Sequence, residues 1–470
     1  MNSLEHNEHE WMRRFRAGDE HAFTVIYNSM KYIYIALLMG FTAYAQGQSK
    51  ITPDSIRSKM QWFADAKLGI FIHWGIYAVD GVGESWSFHN KQLPYADYMQ
   101  QCKGFTASKY DADRWAALIK ESGARYAVIT TKHHDGVALW NTGQNHYSVV
   151  KNTPAGKDLL RPFYKALDKY GIRRGAYFSL LDWSHRDYPA FTKDSNRYTI
   201  AADTARWARF LQFNFAQVQE ISQAFHPDLW WFDGDWEHSA EEWRAPALRQ
   251  QILDDNPQAI INGRLQGYGD YETPEQNFPV TRPAFDWWEL CMTINDNWGY
   301  QPKDNHWKTP YEIITIFADV VSNGGNLLLD IGPKEDGTIP AQAVQVLQEL
   351  GKWNKKYAKA IFNTLGGLPQ GHFYGPSTLS KDSSTLYLFL PAGIRGDVMI
   401  KGLKNSIKHV REIGSGQSCP YKIVGKISWS PVPGLVYIQV PEKVQDAYMT
   451  VLEVQLDGPL ELYRGKGGLK

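Results

Sequence analysis

The sequence has little of what several function classes require. Its 470 residues include only three cysteines, Cys102, Cys291 and Cys419. These show no metal-ligand spacing and no even-numbered disulfide framework, so neither a thiolate metal site nor a stapled scaffold is expected. Charge of one sign is also missing: Lys plus Arg and Asp plus Glu each number 50. A polyanion binder needs a basic surplus to displace counterions from phosphates, so nucleic acid is not an expected partner. No Gly-x-Gly-x-x-Gly follows an apolar strand pattern, which removes the main support for a dinucleotide; no cofactor is expected. No apolar run reaches the roughly 20 residues of a spanning helix, so stable membrane insertion is not expected.

What the chain does have is aromatic surface: 14% of its residues, with 18 Trp. A large core accounts for part of this, because Trp and Tyr bury much area and still reach a hydrogen-bond partner. The remainder favours carbohydrate, since aromatic faces pack against the C–H faces of pyranose rings.

From Met30 the sequence has a basic start at Lys31, a short apolar run, and Ala43 and Ala45 before Gln46. This is the layout of a secretory signal peptide with an Ala-x-Ala cleavage site, so 30–45 is expected to be removed on export to the periplasm or beyond. The preceding stretch Trp11–Phe23 resembles the opening helix of an extracytoplasmic-function sigma factor but is far too short to act as one. Residues 1–29 are therefore expected to be a mis-assigned extension, with translation starting at Met30.

Between 50 and 365 short apolar runs alternate with helical periodicity. Strands are expected at Leu68–Trp74, Arg125–Thr131, Arg174–Leu180, Leu229–Asp233, Ala259–Arg264 and Asn326–Ile331. Helices are expected at Ala112–Ser122, Leu159–Tyr170, Thr204–Phe225, Glu241–Leu253 and Tyr311–Val321. Strands apolar on both faces, separated by helices, predict βα units and a parallel sheet. A stretch of this length fits a (β/α) TIM-like barrel better than an open sheet. After Gly366-Gly367 helical periodicity stops. Short runs at Thr385–Leu390, Val398–Ile400, Ile423–Ile427, Val436–Val440 and Met449–Val454 predict a C-terminal β-sandwich over 366–470.

Catalytic groups of a barrel sit at the carboxyl ends of its strands and in the loops that follow. Polar residues there are His73, His133-His134-Asp135, Tyr177 with Ser179, Asp233 and Arg264. Asp233 ends the apolar run Leu-Trp-Trp-Phe, where a carboxylate is costly to bury unless paired or used. Arg264, one strand on, can keep it ionised, as a nucleophile must be. His73, His133, His134 and Asp135 also raise a metal reading. Neighbours on a strand face opposite ways, however, and the first strand ends His73-Trp74-Gly75 rather than His-x-His, so no metal is expected.

Several stretches resemble the α-L-fucosidases of glycoside hydrolase family 29: Trp62–Gly75, Tyr126–Gly136, Trp231-Phe-Asp-Gly234, Trp298-Gly-Tyr300 and Gly324–Gly337. They span about 55–365 and follow the family's order. The resemblance implies an exo-acting retaining enzyme that removes terminal α-L-fucose from fucosylated glycans through a covalent fucosyl-enzyme. By position, Asp233 matches the family nucleophile. His73, His133, His134, Tyr177 and Arg264 match residues that grip fucose, Trp298 matches a wall against its methyl group, and Trp86 matches an aromatic contact. This chain reads Glu84-Ser-Trp86 where many relatives have adjacent Glu-Trp, so no role is carried to Glu84. For the acid/base, Glu272, Glu275 and Glu289 are candidates, and the segment Asp270–Glu275 favours Glu275. Rival readings are a catalytically silent glycan binder and a different barrel hydrolase. Linkage specificity, aglycone and oligomeric state are not read from the sequence.

Overall fold

A computed structural model describes residues 53–277 and 279–465; the leader-like run Met30–Ala45 and everything before it lie outside them. Seven parallel strands form one curled sheet: β1 (Leu68–Ile72), β2 (Tyr126–Lys132), β3 (Arg173–Ser179), β4 (Leu229–Asp233), β5 (Ile260–Ile261), β6 (Glu289–Thr293) and β7 (Asn326–Ile331). Their order is β5-β4-β3-β2-β1-β7-β6. The irregular segment 271–275 makes parallel bridges to both edges, Tyr271 to Asn262 beyond β5, and Glu272 and Glu275 to Trp288 and Cys291 along β6. It stands where an eighth stave belongs, giving a TIM-like barrel.

The strands are buried on both faces, and their side chains divide with period two. In β1, Leu68, Ile70 and Ile72 join the core beneath the helices. Gly69, Phe71 and His73 fall on the other, inward face. The same division sends Trp230 and Phe232 of β4 outward and leaves Trp231 and Asp233 inward. Inside, Phe71, Tyr177 and Trp231 pack with ring centroids 5.0–5.9 Å apart. A Cβ on Gly69 would lie 2.3 Å from the Tyr126 ring, so only glycine lets that ring into the barrel floor.

The outer helices are α1 (Ala112–Glu121), α2 (Leu160–Tyr170), α3 (Thr204–Phe225), α4 (Ala245–Asp255), α5 (Pro310–Ser322) and α6 (Ala341–Ile361). Several begin on side-chain caps: Asp111 accepts from Asp113 and Arg114 N–H, Asp203 from Arg206 N–H, and Thr309 with Glu312 forms a capping box. Beyond α6, strands β8 (Leu365–Gly366), β9 (Ser377–Leu379), β10 (Thr385–Pro391), β11 (Asp397–Lys401), β12 (Ile407–Glu412), β13 (Tyr421–Val424), β14 (Leu435–Gln439) and β15 (Met449–Leu456) follow. They make two antiparallel sheets, β8-β9-β10-β15-β12 and β11-β14-β13. Leu386, Leu388, Ile400, Ile438, Leu452 and Val454 share their core, as in a sandwich. Trp353 of α6 donates from Nε1 to the Met449 carbonyl at 2.9 Å, stitching helix to sandwich.

Four elements of the barrel differ from the sequence expectation. The strand expected at Ala259–Arg264 shrinks to Ile260–Ile261, because the Asn262 side chain takes both Phe232 backbone groups (2.9 Å each) and frees its own chain to turn. The helix expected at Glu241–Leu253 is broken at Arg244, whose φ of 52° is left-handed. Strand β6 and helix α6 lie where no element was expected.

Candidate active site

The inward alternation brings His73, Tyr177, Ser179, Asp233 and Asp330 to the carboxyl end of the barrel. His133 and His134 join them for a different reason. Register slips between Thr130 and Lys132, and β2 stops at Lys132. The histidines therefore escape strand alternation, and their rings stand side by side with centroids 4.2 Å apart. The premise that they face opposite ways is corrected by this bulge.

Asp233 is the centre of the group. One oxygen accepts from Tyr177 Oη at 3.0 Å and lies 3.6 Å from His134 Nε2; the other accepts from Arg264 Nη1 at 3.1 Å. Arg264 turns its second terminal nitrogen to Glu275 Oε2 at 2.6 Å and its Nε to Thr273 Oγ1 at 3.0 Å. One guanidinium thus spans both carboxylates, lying 4.5 Å above the Trp231 ring. Burial opposes its charge, but Asp233, then Cys291 and Glu275, outweigh that and hold it above its ordinary pKa. Glu275, on the irregular stave, has its side chain 40% exposed, against 13% for Asp233.

Their surroundings push the histidines in two directions. His134 Nδ1 pairs with Ser179 Oγ at 2.6 Å and His133 Nδ1 with Ser85 Oγ. Burial, followed by neighbouring imidazoles, depresses both, His134 to about 3, so both are neutral. His73 is different. Burial lowers it, but Asp330, 2.6 Å from Nδ1, more than compensates and raises it above the usual value. The four residues of the metal reading engage four separate partners: His73 with Asp330, His133 with Ser85, His134 with Ser179, and Asp135 with Tyr98 at 2.6 Å. Trp298 lies against His73 with centroids 4.9 Å apart, and Trp86 edges onto His134 at 5.5 Å. All nine sequence-derived site residues therefore belong to one connected cluster.

The other two glutamate candidates are elsewhere. Glu289 opens β6 at the amino end of the barrel, fully buried, accepting from Tyr126 Oη and from Trp231 Nε1 at 3.0 Å. Burial lifts its pKa to about 7. It is a floor residue with no route to a leaving group. The Glu272 carboxylate lies against Gly263, where a Cβ would be 2.7 Å from it.

Sequence reasoning passed over three supports. Asp330 carries the same signal as Asp233, a carboxylate near the end of an apolar strand. Ser85 shows none, because only the fold sets it beside His133. Glu84 is buried with a left-handed φ of 37°, and its Oε1 accepts from Gly299 N–H at 2.6 Å. It thereby anchors the Trp298 loop.

The sequence profile described as Alpha-L-fucosidase matches residues 38–359. The tissue α-L-fucosidase of Macaca fascicularis is 31% identical over 370 residues, covering 70% of this chain and 76% of that one. Among solved structures, α-L-fucosidase isoenzyme 1 from Paenibacillus thiaminolyticus superposes with a TM-score of 0.77 at 30% identity, over 86% of this chain and 99% of that one. A GH29 α-L-fucosidase from Bacteroides thetaiotaomicron, described as a trapped covalent intermediate in complex with 2-fluoro-fucosyl fluoride, has a TM-score of 0.74 at 29% identity and covers 85% and 96%. With this match over most of its barrel, the chain belongs to the α-L-fucosidase family, and it is a glycoside hydrolase.

Proposed function

We propose that the protein is an exo-acting retaining α-L-fucosidase in which Asp233 is the nucleophile and Glu275 the acid/base. The observation that carries this is the pair of carboxylates reached by the two terminal nitrogens of Arg264. Retaining glycosidases use two carboxyls about 5–5.5 Å apart, one attacking the anomeric carbon while the other protonates the leaving oxygen. Asp233 accepts hydrogen bonds from Tyr177 and Arg264, which fix the direction in which its carboxylate faces. Glu275 stands on the exposed side, where a leaving group departs and water arrives. After giving up its proton, its carboxylate is held by Arg264 until it activates water. Fucose is a 6-deoxy sugar and needs both hydroxyl partners and an apolar wall. His73, His133, His134 and Tyr177 supply the first; Trp298 and Trp86 supply the second.

The test is hydrolysis of an aryl α-L-fucoside followed by NMR in real time. Release of α-L-fucose first supports retention. Release of β-L-fucose first overturns it, and no turnover of any α-L-fucoside overturns the enzyme reading. We also infer export, from the leader-like run Met30–Ala45. Native protein should begin at or near Gln46; peptides from residues 30–45 in mature material would contradict this.

A further inference from the structure

Thr131 is the extra residue of the bulge in β2: Thr130 lies opposite Tyr177, and Lys132 lies opposite Phe178. A one-residue slip exchanges the two faces for everything that follows. Without it Lys132 would stand opposite Ser179, on the inward face, and His133 would turn outward. With it Lys132 points out beneath α3, its ammonium 4.4 Å from the centre of the Phe178 ring and 5.5 Å from that of Phe213. His133 turns in, its ring parallel to Tyr177 with centroids 5.7 Å apart.

An ammonium is a costly group to send into such a place. Lys132 is fully buried, and its Nζ makes no hydrogen bond among the described residues. The carboxylate it meets is Asp182, just beyond β3 and equally buried, with Oδ2 3.6 Å away. Burial lowers the Lys132 pKa against the pull of Asp182. Burial raises Asp182, but His146 and Lys132 outweigh it and hold the carboxyl well below its ordinary value. Asp182 is also tied in place: Oδ1 accepts from Ser184 Oγ at 2.9 Å and from His185 N–H at 3.0 Å, and His146 Nε2 lies 3.2 Å from Oδ2. It abuts the histidine turn. Gly136 N–H closes that turn on the His133 carbonyl at 3.0 Å, and a Cβ on Gly136 would lie 2.3 Å from Asp182 Oδ1. Next in the chain, Trp183 donates its N–H to the His134 carbonyl at 2.9 Å.

A buried pair of opposite charges is a poor source of stability, since packed apolar side chains of similar volume do as well or better. Its best-attested use is to choose between registers. We propose that Lys132 and Asp182 are positioning residues: their pairing pins β2 in the slipped register and so turns His133 inward beside His134. Both act from behind the histidines. The consequence for rate rests on the fucosidase reading above, in which the two histidines grip fucose; the register does not depend on it.

The test is the full-length double variant Lys132→Met with Asp182→Asn, which removes both charges, nearly keeps their volumes and leaves an acceptor for Ser184 and His185. Its melting temperature should match or exceed that of the unsubstituted protein. Its kcat/KM on an aryl α-L-fucoside should nonetheless fall about 10²-fold, as a displacement of about 1 Å at a binding group can cause. Its crystal structure should show His133 parted from Ser85, its present partner. Asp182→Asn alone, in which Lys132 can shed its proton, carries the same expectations for rate and structure if the double variant does not fold. A stable variant that keeps its rate and its His133–Ser85 contact overturns the pin. Rate and melting temperature falling together, with that contact kept, would make the pair ordinary packing and overturn it as well. If the unsubstituted protein hydrolyses no α-L-fucoside, the fucosidase reading falls, and the variant's crystal structure decides the register by itself.

Discussion

The two ends of the barrel each hold an inward carboxylate, and they treat it in opposite ways. At the mouth, Asp233 meets a guanidinium and a phenol and keeps some access to solvent. At the floor, Glu289 is fully buried and accepts from two neutral donors, Tyr126 and Trp231. Burial dominates there and lifts it to about 7. The same chemical group is held for use at one end and put away at the other. The difference lies in which partner the fold supplies, because depth alone penalises every ionised carboxylate.

The comparison is broken most severely at Asp233. Asp233→Ala should lower kcat on every fucoside by roughly 10⁴-fold or more, as loss of a nucleophile does. Azide should restore part of the activity and give the fucosyl azide of inverted configuration; rescue with retention would move the nucleophile elsewhere. Glu275→Ala should cost about 10²–10⁴-fold on oligosaccharides, the usual worth of a general acid. On a 4-nitrophenyl fucoside, a good leaving group, a fucosyl-enzyme should accumulate, visible by intact mass spectrometry. Equal modest losses on both substrates would remove Glu275 from the acid/base role.

A smaller effect is expected at Ser179→Ala. His134 then loses the partner that fixes its Nδ1, and kcat/KM should fall about tenfold with little change in melting temperature. An unchanged rate would show that His134 needs no such orientation. The smallest effect on rate is expected at the floor. Glu289 has a folded pKa raised to about 7, so the folded chain retains a proton that the unfolded chain releases from about 4.5 upward. Its stabilising contribution is full below about 4.5 and is lost as pH rises to about 7. Glu289→Gln should flatten the fall of melting temperature across that window while changing kcat less than about twofold, as a substitution away from the reacting atoms does. Asp135 and Asp330, both raised to about 6 by burial, keep part of the slope. An unaltered slope would show Glu289 ionised in the folded state.

What the sequence revealed followed local pattern. Strand Leu229–Asp233 and helix Thr204–Phe225 start and end where their patterns do, because a fully apolar run and a capped amphipathic stretch are local signals. Strand β6 was hidden because Leu290-Cys291-Met292 lacks β-branched residues and is flanked by Glu289 and Thr293, which only the barrel interior accommodates. The histidine pair was legible as chemistry but not as geometry, since a bulge in β2 leaves no mark on the residues themselves. Ser85 and Glu84 were out of reach for a further reason. Their partners, His133 and Gly299, are brought to them by chain that folds from far away.

The indole of Trp231 carries the Arg264 guanidinium on its upper face and gives its one N–H to Glu289 below. Tyr126 closes the stack from beneath, in the space a glycine at 69 leaves open. Asp233, Arg264, Trp231, Glu289 and Tyr126 thus form a single upright column through the middle of the barrel. The height of the Arg264 guanidinium is set from the foundation, so a redesign that trims or swells the base will misalign the two carboxylates it holds without touching either.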